Sequence, residues 1–256
     1  MAHSPTAIDP VPRPQGFPLT RISLLGALEE ADPARSRNAW DELLRAYWQP
    51  IRRYICRRWH ESPEAAEDLT QSFLARAIER QTFAAFDPRQ ARFRTFLRLC
   101  LDRDLANVRE AAARQKRGGG ETHLTLDAPA IASHPVLRTA IDDDPEELFH
   151  REWLRAIFET AMERLRASAS LSGREVRFAL FERYELGRSS TGGPGERPTY
   201  DELALEFAIP RTQVTNHLAW ARQELRRLVL EELRRHTASP AEFRDEARRA
   251  LGVEVT

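Results

Sequence analysis

Apolar residues recur at three- and four-residue intervals along most of the chain, and no stretch alternates strictly, so the pattern predicts helices throughout. Trp40, Leu43, Leu44, Tyr47, Ile51, Tyr54 and Ile55 form one stripe. A second helix opens at Ser62 as N-cap with Pro63 in the first turn, and carries Ala66, Leu69, Phe73, Leu74 and Ala77. After the breaker FDPRQA a third stripe runs through Phe93, Phe96, Leu97, Cys100, Leu101, Leu105 and Val108. The pattern stops at Gly118-Gly119-Gly120, which reads as a linker because no strand precedes it and no helix start follows. It resumes at Pro145-Glu146 with Leu154, Ile157, Phe158, Ala161 and Leu165, continues over roughly 173–186, and is interrupted by the flexible insertion GRSSTGGPGERP. A short tail, SPAEFRDEARRALG, restarts a helix at Ser239-Pro240. The expected organisation is all-α. It comprises a disordered leader (1–20), one helical domain (21–117), a flexible linker (118–145), a second helical domain (146–236) and a C-terminal extension (237–256).

Within the second domain, TYDELALEFAIPRTQVTNHLAW reads as two short helices with a tight break. Thr199 and Glu202 form a T-x-x-E capping box. Leu203, Ala204 and Phe207 face inward, Ala208-Ile209-Pro210 turns the chain, and Val214, Leu218, Ala221 and Leu225 line the inner side of the next helix. Arg211, Thr212, Gln213, Thr215, Asn216, His217 and Trp220 are left on the outer N-terminal side, the positions that enter the major groove in a helix-turn-helix. Asn and Gln can read adenine, Arg guanine, and Thr a thymine methyl. A plain helical hairpin with a solvated polar face is the competing reading, and Trp220 could equally pack on the preceding helix.

Charge sharpens this picture through its distribution. The net charge is zero, which argues against a nonspecific nucleic-acid coat. Residues 89–117 nevertheless hold nine basic groups against three acids, whereas 61–68 carry four acids and no base, and 141–147 carry five acids. Opposite local fields imply more than one macromolecular partner. Cys56 and Cys100 are far apart with no CxxC, and read as buried, reduced thiols. The histidines form no metal motif, and no GxxxxGK[ST], GxGxxG or GxSxG occurs, so neither a metal, a cofactor nor catalysis is expected. No apolar run reaches the roughly 20 residues of a membrane span, and the first residues lack the apolar core of a signal peptide, so a cytoplasmic protein is expected.

The segments AEDLTQSFLARAIER and FDPRQARFRTFLRLCLDRDLAN resemble region 2 of the sigma-70 family, in its extracytoplasmic-function (ECF) group. Asp68 and Gln71 match the family's D-x-x-Q-x-x-F run, with Phe73 one place short of the usual aromatic, and Phe93 to Leu97 match F-R-x-[WF]-L. RFRTFL, LAN and QKRGGG look like a subgroup with a C-terminal extension, and TYDELALEFAIPRTQVTNHLAWARQELR is similar to region 4.2. The resemblance covers roughly residues 22–117 and 146–236. It implies a promoter-specificity subunit of bacterial RNA polymerase that performs no chemistry itself. Glu64, Glu67, Asp68 and Gln71 would dock on the polymerase clamp helices. Arg92, Phe93, Arg94, Arg103, Asn107, Arg114, Lys116 and Arg117 would hold the melted −10 strand, and Arg211, Thr212, Gln213, Thr215, Asn216, His217, Trp220 and Arg222 the −35 duplex. The second domain would also touch the polymerase flap, and an anti-sigma factor is a further candidate partner. The recognition helix departs from the family at Thr215, where Lys or Arg is common, and at Pro210, where a Ser-like N-cap is usual. A stand-alone helix-turn-helix regulator and a sigma-like module that sequesters a partner remain the alternatives.

Overall fold

The computed structural model describes residues 32–116, 144–185, 187 and 198–252. The expected leader, most of the 118–145 linker with its glycine triplet, and most of the GRSSTGGPGERP insertion lie outside the described residues. Among those described there is no strand, so the fold is all-α. The helices are α1 (Pro33–Trp59), α2 (Pro63–Glu79), α3 (Phe93–Lys116), α4 (Pro145–Leu171), α5 (Glu175–Glu185), α6 (Tyr200–Glu206), α7 (Arg211–His236) and α8 (Pro240–Leu251), with a 3-10 turn at Thr82–Ala85.

The local start signals act as the sequence suggests. Ser62 accepts a hydrogen bond from the Ala65 N–H at 3.2 Å, and Asp144 accepts one from Glu146 at 3.1 Å. Ser239 caps α8 through the Glu242 N–H at 3.1 Å. Helix α1 runs through Pro50, which is buried within it. Its stripe fills the core with Leu43, Tyr47, Ile51, Tyr54 and Ile55. Cys56 and Cys100 are both free and half-buried, and burial pushes the Cys100 thiol up to about 11.

Helix α4 departs from the single-face expectation. Ile157, Ala161 and Leu165 are buried as expected, but so are Leu148, Phe149, Trp153 and Ala169. A helix apolar on more than one side must be covered on more than one side. Here α4 packs on both α1 and α7, with the Phe149 ring edge-on to Tyr54 at 5.3 Å. Ion pairs between Arg57 and Glu152 (3.1 Å) and between Arg53 and Glu159 (2.7 Å) join α1 and α4 further. The described helices of the two halves are therefore in direct contact.

Asp102 marks the centre of this junction. It is only 2% exposed, and accepts hydrogen bonds from the Tyr54 hydroxyl (2.9 and 3.0 Å), Trp59 Nε1 (3.3 Å) and Arg98 Nη1 (2.8 Å). Arg98 also donates to Glu146 of α4 at 3.0 Å, so one network ties α1, α3 and α4. Burial raises the Asp102 carboxyl above its usual range despite the Arg98 charge.

Candidate functional site

Helix α2 presents its acids on one face. Glu64, Glu67, Asp68 and Gln71 are all exposed at i, i+3, i+4 and i+7, opposite the buried Ala66, Thr70, Phe73, Leu74 and Ala77. Hydrogen bonds from its own backbone N–H and from the Ser62 hydroxyl hold the Glu64 carboxyl below its usual range, so Glu64 serves the helix start as well. Glu67 and Asp68 make no ion pair among the described residues. Beside Asp68 lies a cleft of about 340 Å³, lined also by Trp59, Leu69, Leu105 and Val108.

The basic segment around α3 behaves differently, because its arginines are largely spent on internal partners. Arg89 pairs with Asp87, Arg98 with Asp102 and Glu146, Arg109 with Glu61, and Arg114 with Glu110. Arg92 pairs with Asp245 at 3.2 Å and with Glu246, and Arg94 with Glu246 at 2.7 Å. Arg94 is 4% exposed and sits over the Trp153 ring at 5.0 Å. Phe93 is 3% exposed at the centre of an aromatic cluster with Tyr47, Phe83, Phe86 and Phe96, so its faces are covered by protein rings in this structure. Asn107 is exposed and Arg103 half-exposed. Lys116 closes α3, and Arg117 lies outside the described residues.

The helix pair at 199–236 forms as its sequence signals. Thr199 and Glu202 complete the capping box, Ala208 takes the left-handed turn (φ 51°), and α7 starts after Pro210 without a side-chain cap. In place of a hydroxyl cap, the Pro210 carbonyl accepts from the Gln213 N–H at 2.8 Å and from the Val214 N–H at 3.3 Å. Val214, Leu218 and Ala221 are buried. Arg211, Thr212, Gln213, Thr215 and Asn216 are exposed together on one end of α7, with His217 and Trp220 half-buried beside them. Arg222 is set apart from this group: it donates to Glu185 of α5 at 2.7 and 2.9 Å and lies over Tyr184.

Trp220 packs against α5 in a specific way. The guanidinium groups of Arg174 and Arg177 both lie 5.5 Å from its ring centroid, a double cation–π contact. Partial burial and then the Arg177 charge push the His217 imidazole below its usual range, so the ring is neutral near pH 7. Arg174 and Arg177 escaped the sequence reading because they lie just before α5 and in its first turn, and only folding brings them beside the outer residues of α7.

Also missed was the acidic pair on α8. Glu246 is fully buried, touching Arg92, Arg94 and, at 2.8 Å, His150 Nε2. A signal existed: Phe243, Glu246, Ala247 and Ala250 share one helical face, so an acid stands in an apolar stripe.

No helix among the described residues is long and apolar enough to cross a membrane. No curated protein and no solved structure was found to match the chain. A family model describing the ECF sigma factor matches residues 24–191, which takes in α1 to α5 and stops short of the α6–α7 pair. That match spans well over half of the chain, and it agrees with the all-α fold and with the motifs on α2 and α3: the chain belongs to the ECF sigma factor family, whose members are non-enzymatic subunits that give RNA polymerase its promoter specificity.

Proposed function

We propose that this protein binds core RNA polymerase through the acidic face of α2 and reads promoter DNA at two elements. The loop before α3, with Arg92, the helix itself, with Phe93, Arg94, Arg103, Asn107, Arg114 and Lys116, and the next residue in sequence, Arg117, receive the melted −10 strand. The α6–α7 pair holds the −35 duplex. The observation that carries the reading is a contrast in pairing. Most arginines from 89 to 114 have internal acidic partners, while Glu67 and Asp68 on α2 stay exposed and outside every ion pair described. An acidic helix face left open in an otherwise densely paired protein suits a basic docking surface.

The free protein should then hold duplex DNA weakly, and core polymerase should convert it into a promoter binder. Net charge is zero, so little long-range attraction is available, and phosphate neutralisation sets most of the affinity of small DNA-reading modules. Titrating a promoter fragment with the protein, with and without core enzyme, tests this. Tight sequence-specific binding by the protein alone would favour the stand-alone regulator instead.

Asn216 is the outer residue of α7 best suited to reading a base. It is exposed, whereas the Thr215 hydroxyl turns back to donate to the Arg211 carbonyl at 3.4 Å. A bidentate amide–adenine pair discriminates by ~1–3 kcal/mol. Asn216→Ala should relax preference at one position of the −35 element when all four bases are compared there. An equal loss on every sequence would make Asn216 a positioning residue.

A further inference from the structure

The contacts of α8 point to a role for the C-terminal helix. Its inner face is amphipathic with an acid at the centre: Phe243 and Ala247 are buried, and Glu246 between them is fully buried. Glu246 and its neighbour Asp245 meet Arg92 and Arg94 at the start of α3. The other oxygen of Glu246 faces His150 of α4, and Arg249 reaches Glu147 of α4 at 2.7 Å. From α7, the Arg234 guanidinium lies over Phe243 at 4.7 Å. One short helix is thus fastened to α3, α4 and α7 at once.

A guanidinium binds carboxylate and phosphate with the same fork of donors. The Asp245–Glu246 pair engages Arg92 and Arg94 with two adjacent anionic groups, as a strand of phosphates would in the same place. With Glu246 seated, Arg94 is covered and Arg92 is turned toward α8. We infer that α8 is an internal competitor for single-stranded nucleic acid: its two carboxylates occupy the phosphate-gripping arginines at the start of α3, so docking of α8 and binding of the strand exclude each other. This rests on the proposal that the start of α3 receives the −10 strand.

When the binding-competent form is a minor one, apparent affinity falls in proportion to its population, so a form that is open about 10% of the time binds about tenfold more weakly than a permanently open one. Anisotropy titration of a labelled AT-rich single-stranded oligonucleotide into the full chain at low salt reads this directly. Glu246→Gln should tighten binding about tenfold. Arg249→Glu loosens α8 from outside the buried cluster, sets like charge against Glu147, and should act in the same direction; it decides the matter if Glu246→Gln loses helicity by circular dichroism. Adding Arg92→Ala to the opened variant should remove the gain. If the variant that remains helical binds no tighter than the parent, or if the gain survives Arg92→Ala, α8 is not a competitor at this site. Core-dependent transcription by the unaltered chain, measured alongside, tests the promoter reading separately: its absence would remove the sigma role, while the oligonucleotide titration still decides the competition.

Discussion

Replacing Asp102 by Ala should lower the free energy of unfolding by about 3–5 kcal/mol, the usual loss when one partner of a buried ion pair is deleted. Its carboxylate is the common acceptor for Tyr54, Trp59 and Arg98, so three donors lose their partner together. Arg98 keeps Glu146, but its other donor group is left facing a site that is 2% exposed. Asp102→Asn should retain most of the stability, because it preserves the shape and one acceptor oxygen, and burial already disfavours the charged form. Urea denaturation followed by circular dichroism gives the comparison. An alanine variant within about 1 kcal/mol of the parent would mean that the network contributes no more than an ordinary hydrogen bond.

Glu246 should give the fold a distinct acid dependence. Burial alone would raise its carboxyl, but the hydrogen bond from His150 and the charges of Arg94 and His150 outweigh that and bring it from 4.5 down to about 2. A depressed folded-state value stabilises the protein above the unfolded value, and that stability is lost as the pH falls through the folded one. The difference corresponds to roughly 3 kcal/mol at neutral pH. The groups facing it are Arg92 and Arg94 at the start of α3, His150 on α4 and Asp245 on its own helix. Glu246→Gln should therefore cost about that much at pH 7, with the gap to the parent closing between pH ~4.5 and ~2. Parallel unfolding curves across that range are the measurement. A gap that stays constant with pH would show that packing of the glutamate, not its charge, holds α8 in place.

How much of this was legible in the sequence depended on whether the determinant was local. The starts of α2, α6 and α8 could be placed because Ser62, Thr199 and Ser239 act on N–H groups three residues away, and that of α4 because Pro145-Glu146 marks it. The stripes of α1 and α3 were equally readable, since helical spacing selects the buried face. The outer set on α7 followed from the same geometry. What resisted reading was long-range. Leu148, Phe149 and Trp153 lie on a side of α4 that becomes interior only when α1 covers it. The arginines of the α3 segment look like a basic face in sequence, yet their partners are as distant as Glu246, 154 positions from Arg92. Trp220 is a similar case, since the two arginines on its ring come from the start of α5 and the residue before it, and the periodicity of α7 carries no trace of them.

Helix α7 continues without a break from Arg211 to His236, 26 residues, well past the short recognition segment. At 1.5 Å per residue it is a rod of about 39 Å. Its near end carries Gln213 and Asn216; toward its far end Leu228, Val229 and Leu233 are buried and Glu232 is paired with Arg164 of α4. Between them Val214, Leu218 and Ala221 are buried and Arg222 bonds to Glu185 of α5, so the rod is seated along its length, with its deepest hold on α4 toward the far end. A tilt of about 5° there moves Asn216, about 21 Å along the helix, by about 2 Å, more than half of the ~3.4 Å step between bases along one strand. The aim of the residues proposed to read DNA is thus set partly at a distance, by the side chains that wedge the helix against α4, and a substitution there would tilt them while leaving each of them untouched.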